Sequence, residues 1–223
     1  MTDIVLASAS PRRQRLMRWL GLRFCVAASD VEDRPGTVHA ADPAEVARAL
    51  ALAKARDVAD RDARDDAVVL GFDTLVVVDG EMLGKPRDAE DARRMLDLLS
   101  GRMHEVVTGV AAVRAGTVTA FEHETPVRMK DLAPAAVSSW LGGEEVLGCA
   151  GAYNIERHLA EVSLDQCFQN VAGLPLCHTY GLLAETFGLS PVWPERTCNA
   201  ARGVRCEMAL RLRLGDDGGK QLR

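Results

Sequence analysis

Two serines and two arginines stand where a short apolar run meets a helix start. Ser8-Ala9-Ser10-Pro11-Arg12-Arg13 follows Ile4-Val5-Leu6-Ala7 and precedes Gln14 to Leu20, which Gly21 stops. Ser is a favoured N-cap and Pro a favoured first helical residue, so the segment reads as a helix N-terminus. Such an end presents unpaired N–H groups and partial positive charge, and two guanidinium forks beside it make a cradle for phosphate. The plainer reading is a helix start with solvated arginines.

Three further positions break the pattern around them. Asp73-Thr74 interrupts the apolar, β-branched stretch Val68 to Asp79. A carboxylate inside such a strand is paired, binds a metal or faces a cleft. Val46, Leu50, Lys54 and Val58 fall four apart on one face of a helix, and that face is otherwise apolar. A lysine there either snorkels to the edge or reaches into a site. Gly84-Lys85-Pro86 follows Asp73 by one hairpin, and Pro86 stiffens the backbone beside the lysine. Glu32 and Asp33 lie in an acidic loop before Pro35-Gly36. They are solvated charges or, with Asp73, carboxylates around a hard cation whose shell substrate phosphates complete. Cys149-Ala150-Gly151-Ala152-Tyr153-Asn154 is a small-residue stretch for tight packing or for close approach to a ligand. Asn170 to Pro175 is a second turn into a helix.

The elements that must position these residues alternate in type. Strands are expected at the first apolar run, at Phe24 to Ala28 and at Val68 to Asp79. A long hairpin is expected from Val106–Arg114 and Val118–Met129, turning at Ala115-Gly116. Helices are expected from Pro43 to about Ala59, over Ala89–Leu99 behind an Asp88 cap, briefly after Pro134, and over Leu174–Phe187. This mixture predicts an α/β or α+β fold, a mixed sheet with helices on its faces. Residues 1–190 read as one domain; residues 191–223 read as an extension with a broken pattern, ending in the frayed-looking Gly215-Asp-Asp-Gly-Gly219.

Composition narrows the function classes. With 48% hydrophobic residues the chain of 223 can bury a sizeable core. A net charge of −5 disfavours direct nucleic-acid binding. The six cysteines form no C-x-x-C pair, so a zinc knuckle is unsupported. No signal-peptide pattern and no membrane-length apolar run is present, and free thiols fit a cytoplasmic location.

Taken together, Ser8-x-Ser10-Pro11-Arg12-Arg13, Leu52-Ala53-Lys54-Ala55, Gly71-x-Asp73-Thr74, Gly84-Lys85-Pro86, Leu99-Ser100-Gly101, Ala150-Gly151-Ala152-Tyr153 and Gly173-Leu174-Pro175 resemble the Maf family in order and spacing, over about residues 4 to 189. That family is also called the septum formation inhibitor family. The resemblance implies an elongated mixed sheet flanked by helices, with a central cleft, related to the inosine triphosphate pyrophosphatases. It implies cleavage of a nucleoside triphosphate between the α and β phosphorus atoms, to monophosphate and pyrophosphate, with a divalent metal (Mg or Mn), in removal of noncanonical or surplus nucleotides. By position, it makes Asp73 the proton acceptor for the attacking water, assisted by Lys54 and Lys85. Ser8, Arg12 and Arg13, with both lysines, would hold the triphosphate, and Glu32 or Asp33 would bind metal with Asp73. It also implies a homodimer.

The departures concern the base. In the branch acting on thymidine and uridine triphosphates, specificity goes with Arg, Thr and Gln at positions matching Arg12, Thr74 and Glu156. The third is Glu here, which cannot donate the amide hydrogen bonds of Gln. Cys149 instead resembles the branch favouring 7-methylguanosine triphosphate, and Asn154 and Arg157 replace usual glycines. The base is therefore expected to be thymine or uracil, 7-methylguanine or another modified base. The competing classes are a non-catalytic, nucleotide-binding regulator of cell division and a family member that binds without turnover.

Overall fold

The computed structural model describes residues 3–31, 42–61, 66–143 and 146–214. The most apolar stretch becomes the spine of the fold. Strand β3 (Val68–Val78) lies in a seven-stranded mixed sheet with β1 (Ile4–Leu6), β2 (Cys25–Val26), β4 (Glu81–Leu83), β5 (Met103–Arg114), β6 (Thr117–Met129) and β7 (Ala160–Glu161). The order is β2-β1-β3-β5-β6-β7, with β4 also on β3. β1 runs parallel to β2 and β3, and the other pairings are antiparallel. The β5–β6 hairpin turns at Ala115 and Gly116, at φ +46 and +81, as its sequence predicts.

The pairing register opens a gap. β5 pairs with β3 from Val69 to Val77 along one edge. On the other edge β1 pairs with Val68–Leu70 and β4 with Val76–Val78. Residues 71–75 lie between those two ladders, so β3 is unsheathed where Asp73 sits.

Alternation along β3 divides the interior. Leu70, Phe72, Val76 and Val78 join the larger core, with Leu16 and Met17 of α1 (Pro11–Arg18) and Leu96 and Leu99 of α3 (Ala89–Leu99). Val69 joins a smaller core of Val5, Ala111 and the small residues Ala51, Ala55 and Val58 of α2 (Pro43–Arg61). α2 rides directly on the sheet at two glycines. A Cβ on Gly71 would lie 2.1 Å from the Ala51 carbonyl oxygen, and one on Gly109 would lie 2.1 Å from that of Ala47. The buried stripe is thus Ala47, Ala51, Lys54, Ala55 and Val58, turned slightly from the four-spaced face read in the sequence. Val46 and Leu50 face the cleft rim instead.

The remaining helices are α4 (Pro134–Leu141), α5 (Phe168–Val171), α6 (Leu176–Gly181), α7 (Glu195–Arg202) and α8 (Glu207–Arg213). Two departures from the sequence expectation stand out. The helix expected over Leu174–Phe187 begins only after Pro175 and widens after Gly181 into an i→i+5 turn over Leu182–Thr186. The stretch beyond Pro191 carries α7 and α8, whose single buried residues, Cys198 and Ala209, leave too sparse an apolar pattern to read. Among the described residues, no helix is long and apolar enough to cross a membrane.

Candidate functional site

The gap in the sheet opens into a cleft of about 750 Å³. Three chain reversals meet there: the turn after β1, the turn after β4, and the irregular segment 148–154.

Asp73 points from β3 toward α2. Gly71 precedes it by two residues on the same face, and Gly109 is its cross-strand partner. Because both glycines admit the α2 backbone, Lys54 reaches the carboxylate: Lys54 Nζ lies 2.6 Å from Asp73 Oδ1. Lys54 is 2% exposed and Asp73 8%. The lysine reaches into the site and does not snorkel away. In a pair this dry each charge answers the other; removing one partner typically costs about 3–5 kcal/mol.

The serine-arginine segment behaves differently from a simple cradle. Ser10 caps α1, accepting from the Arg13 backbone N–H at 3.4 Å, with Pro11 at the first turn. Ser8 Oγ accepts from the Ser10 N–H and from Arg13 Nη1, both at 3.3 Å. Arg13 is buried. Its Nε donates to the Gly173 carbonyl at 2.9 Å and its Nη2 to Thr74 Oγ1 at 3.0 Å. Thr74 Oγ1 pairs in turn with Thr108 Oγ1 at 3.0 Å, and Thr108 donates to the Asn170 carbonyl at 3.1 Å. The Asn170 amide ties together the Val106 and His123 carbonyls and Thr125 Oγ1, each at 3.0 Å. Arg13 therefore locks the α1 turn to β3 and to the Gly173 turn. Gly173, at φ +100, accepts no side chain without strain, and a Cβ there would lie 3.4 Å from Arg13 Nε.

Arg12 faces the opposite wall. Its Nη1 lies 3.1 Å from Cys149 Sγ and its Nη2 donates to the Gly148 carbonyl at 3.0 Å. Lys85 is exposed at the cleft mouth, on the turn whose Gly84 carbonyl accepts from the Gly151 N–H at 3.0 Å. Glu156 does not line the cleft: it forms an ion pair with Arg15 of α1. Asn154 does line it, and its Oδ1 accepts from the Glu156 N–H at 3.0 Å. Tyr153, also on this wall, bonds His104 Nε2 through its hydroxyl at 2.8 Å.

Glu32 and Asp33 lie outside the described residues; Val31, which precedes them, is at the cleft. Among the described lining residues Asp73 is the one carboxylate, and no cluster of three or more His, Cys, Asp or Glu that could hold a metal occurs among the described residues. This donor set fits a hard cation of the magnesium type, which takes one or two carboxylates and leaves the rest of its shell to phosphate and water.

The structure thus brings Ser8, Arg12, Arg13, Lys54, Asp73, Thr74 and Lys85 to one cleft. Sequence reading missed Thr108 and read Asn170 only as the start of a turn, because the side-chain partners of both are distant in the chain. It also missed Gly109, whose signal was a glycine inside a strand, a common mark of close backbone approach.

Comparison with solved structures finds partial likeness. The Ham1 protein of Staphylococcus aureus aligns at TM-score 0.41 and 16% identity, over 58% of this chain and 73% of that one. Sequence relatives are much nearer. A dTTP/UTP pyrophosphatase of Symbiobacterium thermophilum is 44% identical, over 83% of this chain and 94% of the relative. Proteins of the same name from Moorella thermoacetica and Myxococcus xanthus are each 43% identical, over 86% of this chain and 98% and 96% of theirs. The family described as Maf-like protein matches residues 3–186, which include every cleft residue named above. The chain belongs to the Maf-like protein family.

Proposed function

We propose that the cleft hydrolyses the α–β phosphoanhydride of a nucleoside triphosphate, releasing the monophosphate and pyrophosphate. The observation that carries this reading is the Lys54–Asp73 pair, a carboxylate and an ammonium held 2.6 Å apart at the unsheathed centre of β3. Asp73 is the group that orients a water and accepts its proton. As the water oxygen bonds the α-phosphorus, the bridging P–O bond breaks and its electron pair leaves with pyrophosphate. Lys54, Lys85 and Arg12 counter the charge that gathers on the leaving group. Arg13 holds Ser8 and Thr74 in place, a supporting role in this reading. When bound, a divalent cation neutralises phosphate charge; Asp73 would hold it, together with Glu32 or Asp33. A cytoplasmic location and a homodimer belong to the same reading, supported by family membership and, for the former, by free thiols.

Thymidine and uridine triphosphates are the proposed substrates, since the relatives above carry that activity in their names. Arg12 beside Cys149 Sγ favours a second reading, 7-methylguanosine triphosphate. The test is a panel of canonical and modified nucleoside triphosphates with magnesium or manganese, assaying pyrophosphate and orthophosphate separately. Pyrophosphate from thymidine and uridine triphosphates is the expected result. Orthophosphate as first product overturns α–β cleavage, and no turnover across the panel favours a binding protein. For the cell-division regulator, a cellular effect that survives Asp73→Ala while hydrolysis is lost would count in its favour.

A further inference from the structure

A second cluster of reactive groups lies in the extension, outside residues 3–186 matched by the family. α7 carries Cys198 and Arg202 four residues apart, on one face of the helix. Gly203, at φ +68, ends α7 and turns the chain back. The Asn199 side chain fixes the return, accepting from the Cys206 backbone N–H at 2.8 Å. This places the Cys206 thiol in hydrogen-bond contact with that of Cys198. Cys198 is 8% and Cys206 5% exposed.

We propose that Cys198 and Cys206 form a dithiol pair that a hydroperoxide converts to a disulfide, a modification site separate from the nucleotide cleft. The surroundings assign the two sulfurs different parts. The Cys198 S–H donates to Cys206, which draws the Cys206 thiol down, and Arg202 adds positive charge beside it. The same bond, with burial, pushes Cys198 up. The Arg202 guanidinium sits over the Phe168 ring at 4.6 Å, and its buried Nη1 has no hydrogen-bond partner among the described residues. Burial leaves Cys167, on α5's N-terminal side, at about 11 and pushes Cys177 of α6 up as well, so the nearby thiols are poorer nucleophiles.

The steps balance with one hydroperoxide. The Cys206 thiolate attacks the peroxide oxygen, the O–O bond breaks, and the departing hydroxide or alkoxide takes up a proton. The Cys198 sulfur then attacks the resulting sulfenic acid, forming S–S and releasing water. Two thiols are oxidised and one peroxide is reduced.

The test treats the reduced full-length protein with equimolar hydrogen peroxide and maps its peptides by mass spectrometry. The expected result is a Cys198–Cys206 linked peptide, with two hydrogens lost, reversed by a thiol reductant. In Cys198→Ser, a 1,3-dicarbonyl probe should trap sulfenic acid at Cys206; in Cys206→Ser, no adduct should form at Cys198. The map of the unaltered protein decides the matter even if a variant fails to fold. A disulfide joining any other pair, oxidation that spares Cys206, or stoichiometric zinc in the purified protein overturns the proposal.

Discussion

The two walls of the cleft are made in different ways. On one side, a long helix lies on two paired strands, β3 and β5, separated from them only by the hydrogens of Gly71 and Gly109. On the other, residues 148–157 form short 3₁₀ turns, held by one backbone bond, Gly151 N–H to the Gly84 carbonyl, and otherwise by side chains: Arg12 to Gly148 and Cys149, Arg15 to Glu156, His104 to Tyr153. Backbone-on-backbone seating leaves little freedom, so it suits groups whose separation must be held within tenths of an ångström. A wall fastened by side chains can change by substitution without disturbing the sheet, so it suits selection of the base. The departures from the thymidine and uridine pattern, Cys149, Asn154, Glu156 and Arg157, all fall in this second segment, and Asn154 among them lines the cleft.

Several substitutions can break or sharpen that contrast. The largest expected effect is at Asp73. Asp73→Asn should lower kcat by about 10²–10⁴, the usual range for a general base. It should also destabilise the fold by about 3–5 kcal/mol, because the buried Lys54 ammonium loses the Asp73 carboxylate. Adding Lys54→Met should restore part of that stability and none of the activity. A denaturant series with steady-state kinetics on the single and double variants checks both points. Next is Gly71→Ala, whose new methyl meets the Ala51 carbonyl at 2.1 Å. Overpacking of this kind typically costs about 1–3 kcal/mol, and here it should also lift Lys54 off Asp73, so thermal midpoint and kcat should fall together. The matching change on the second wall, Asn154→Gly, should leave the thermal midpoint nearly unchanged and alter the ratio of kcat/KM between pyrimidine and purine triphosphates.

Acid should separate the walls too. Burial holds His104 at about 4, below its free value of 6.5. The folded protein then binds fewer protons than the unfolded chain between those values, so stability is full above pH 6.5 and falls as pH drops toward 4. The loss is on the order of 2–3 kcal/mol at the low end. His104→Phe should flatten this limb of a pH-dependent unfolding curve. The smallest effect belongs to Arg15→Ala. Its half-exposed pair with Glu156 should contribute under about 1 kcal/mol, and its loss should appear as a modest change in KM.

The first wall was largely legible in the sequence because its signals are local contradictions. A carboxylate in a β-branched strand and a lysine on an inward helical face each violate burial rules, and each announces a site. Secondary structure followed similarly where caps and turns were explicit, as at Asp88 before α3 and Ala115-Gly116 in the hairpin. The second wall was not legible in this way. Glu156 pairs with Arg15, a partner 141 residues away that its own segment does not announce. The bonds of Arg13 to Ser8, Thr74 and Gly173 are likewise invisible in its local sequence. Long-range side-chain partners leave no periodic trace. α7 and α8 escaped notice for a related reason, since each buries one residue against the body and shows no stripe.

The central claim is that Asp73 directs water to the α-phosphorus. Hydrolysis of thymidine triphosphate in oxygen-18 water, with each product analysed by mass spectrometry, tests it most directly. The label is expected in the monophosphate and absent from the pyrophosphate, with both products lost in Asp73→Asn. Label in pyrophosphate, or labelled orthophosphate released first, would contradict it.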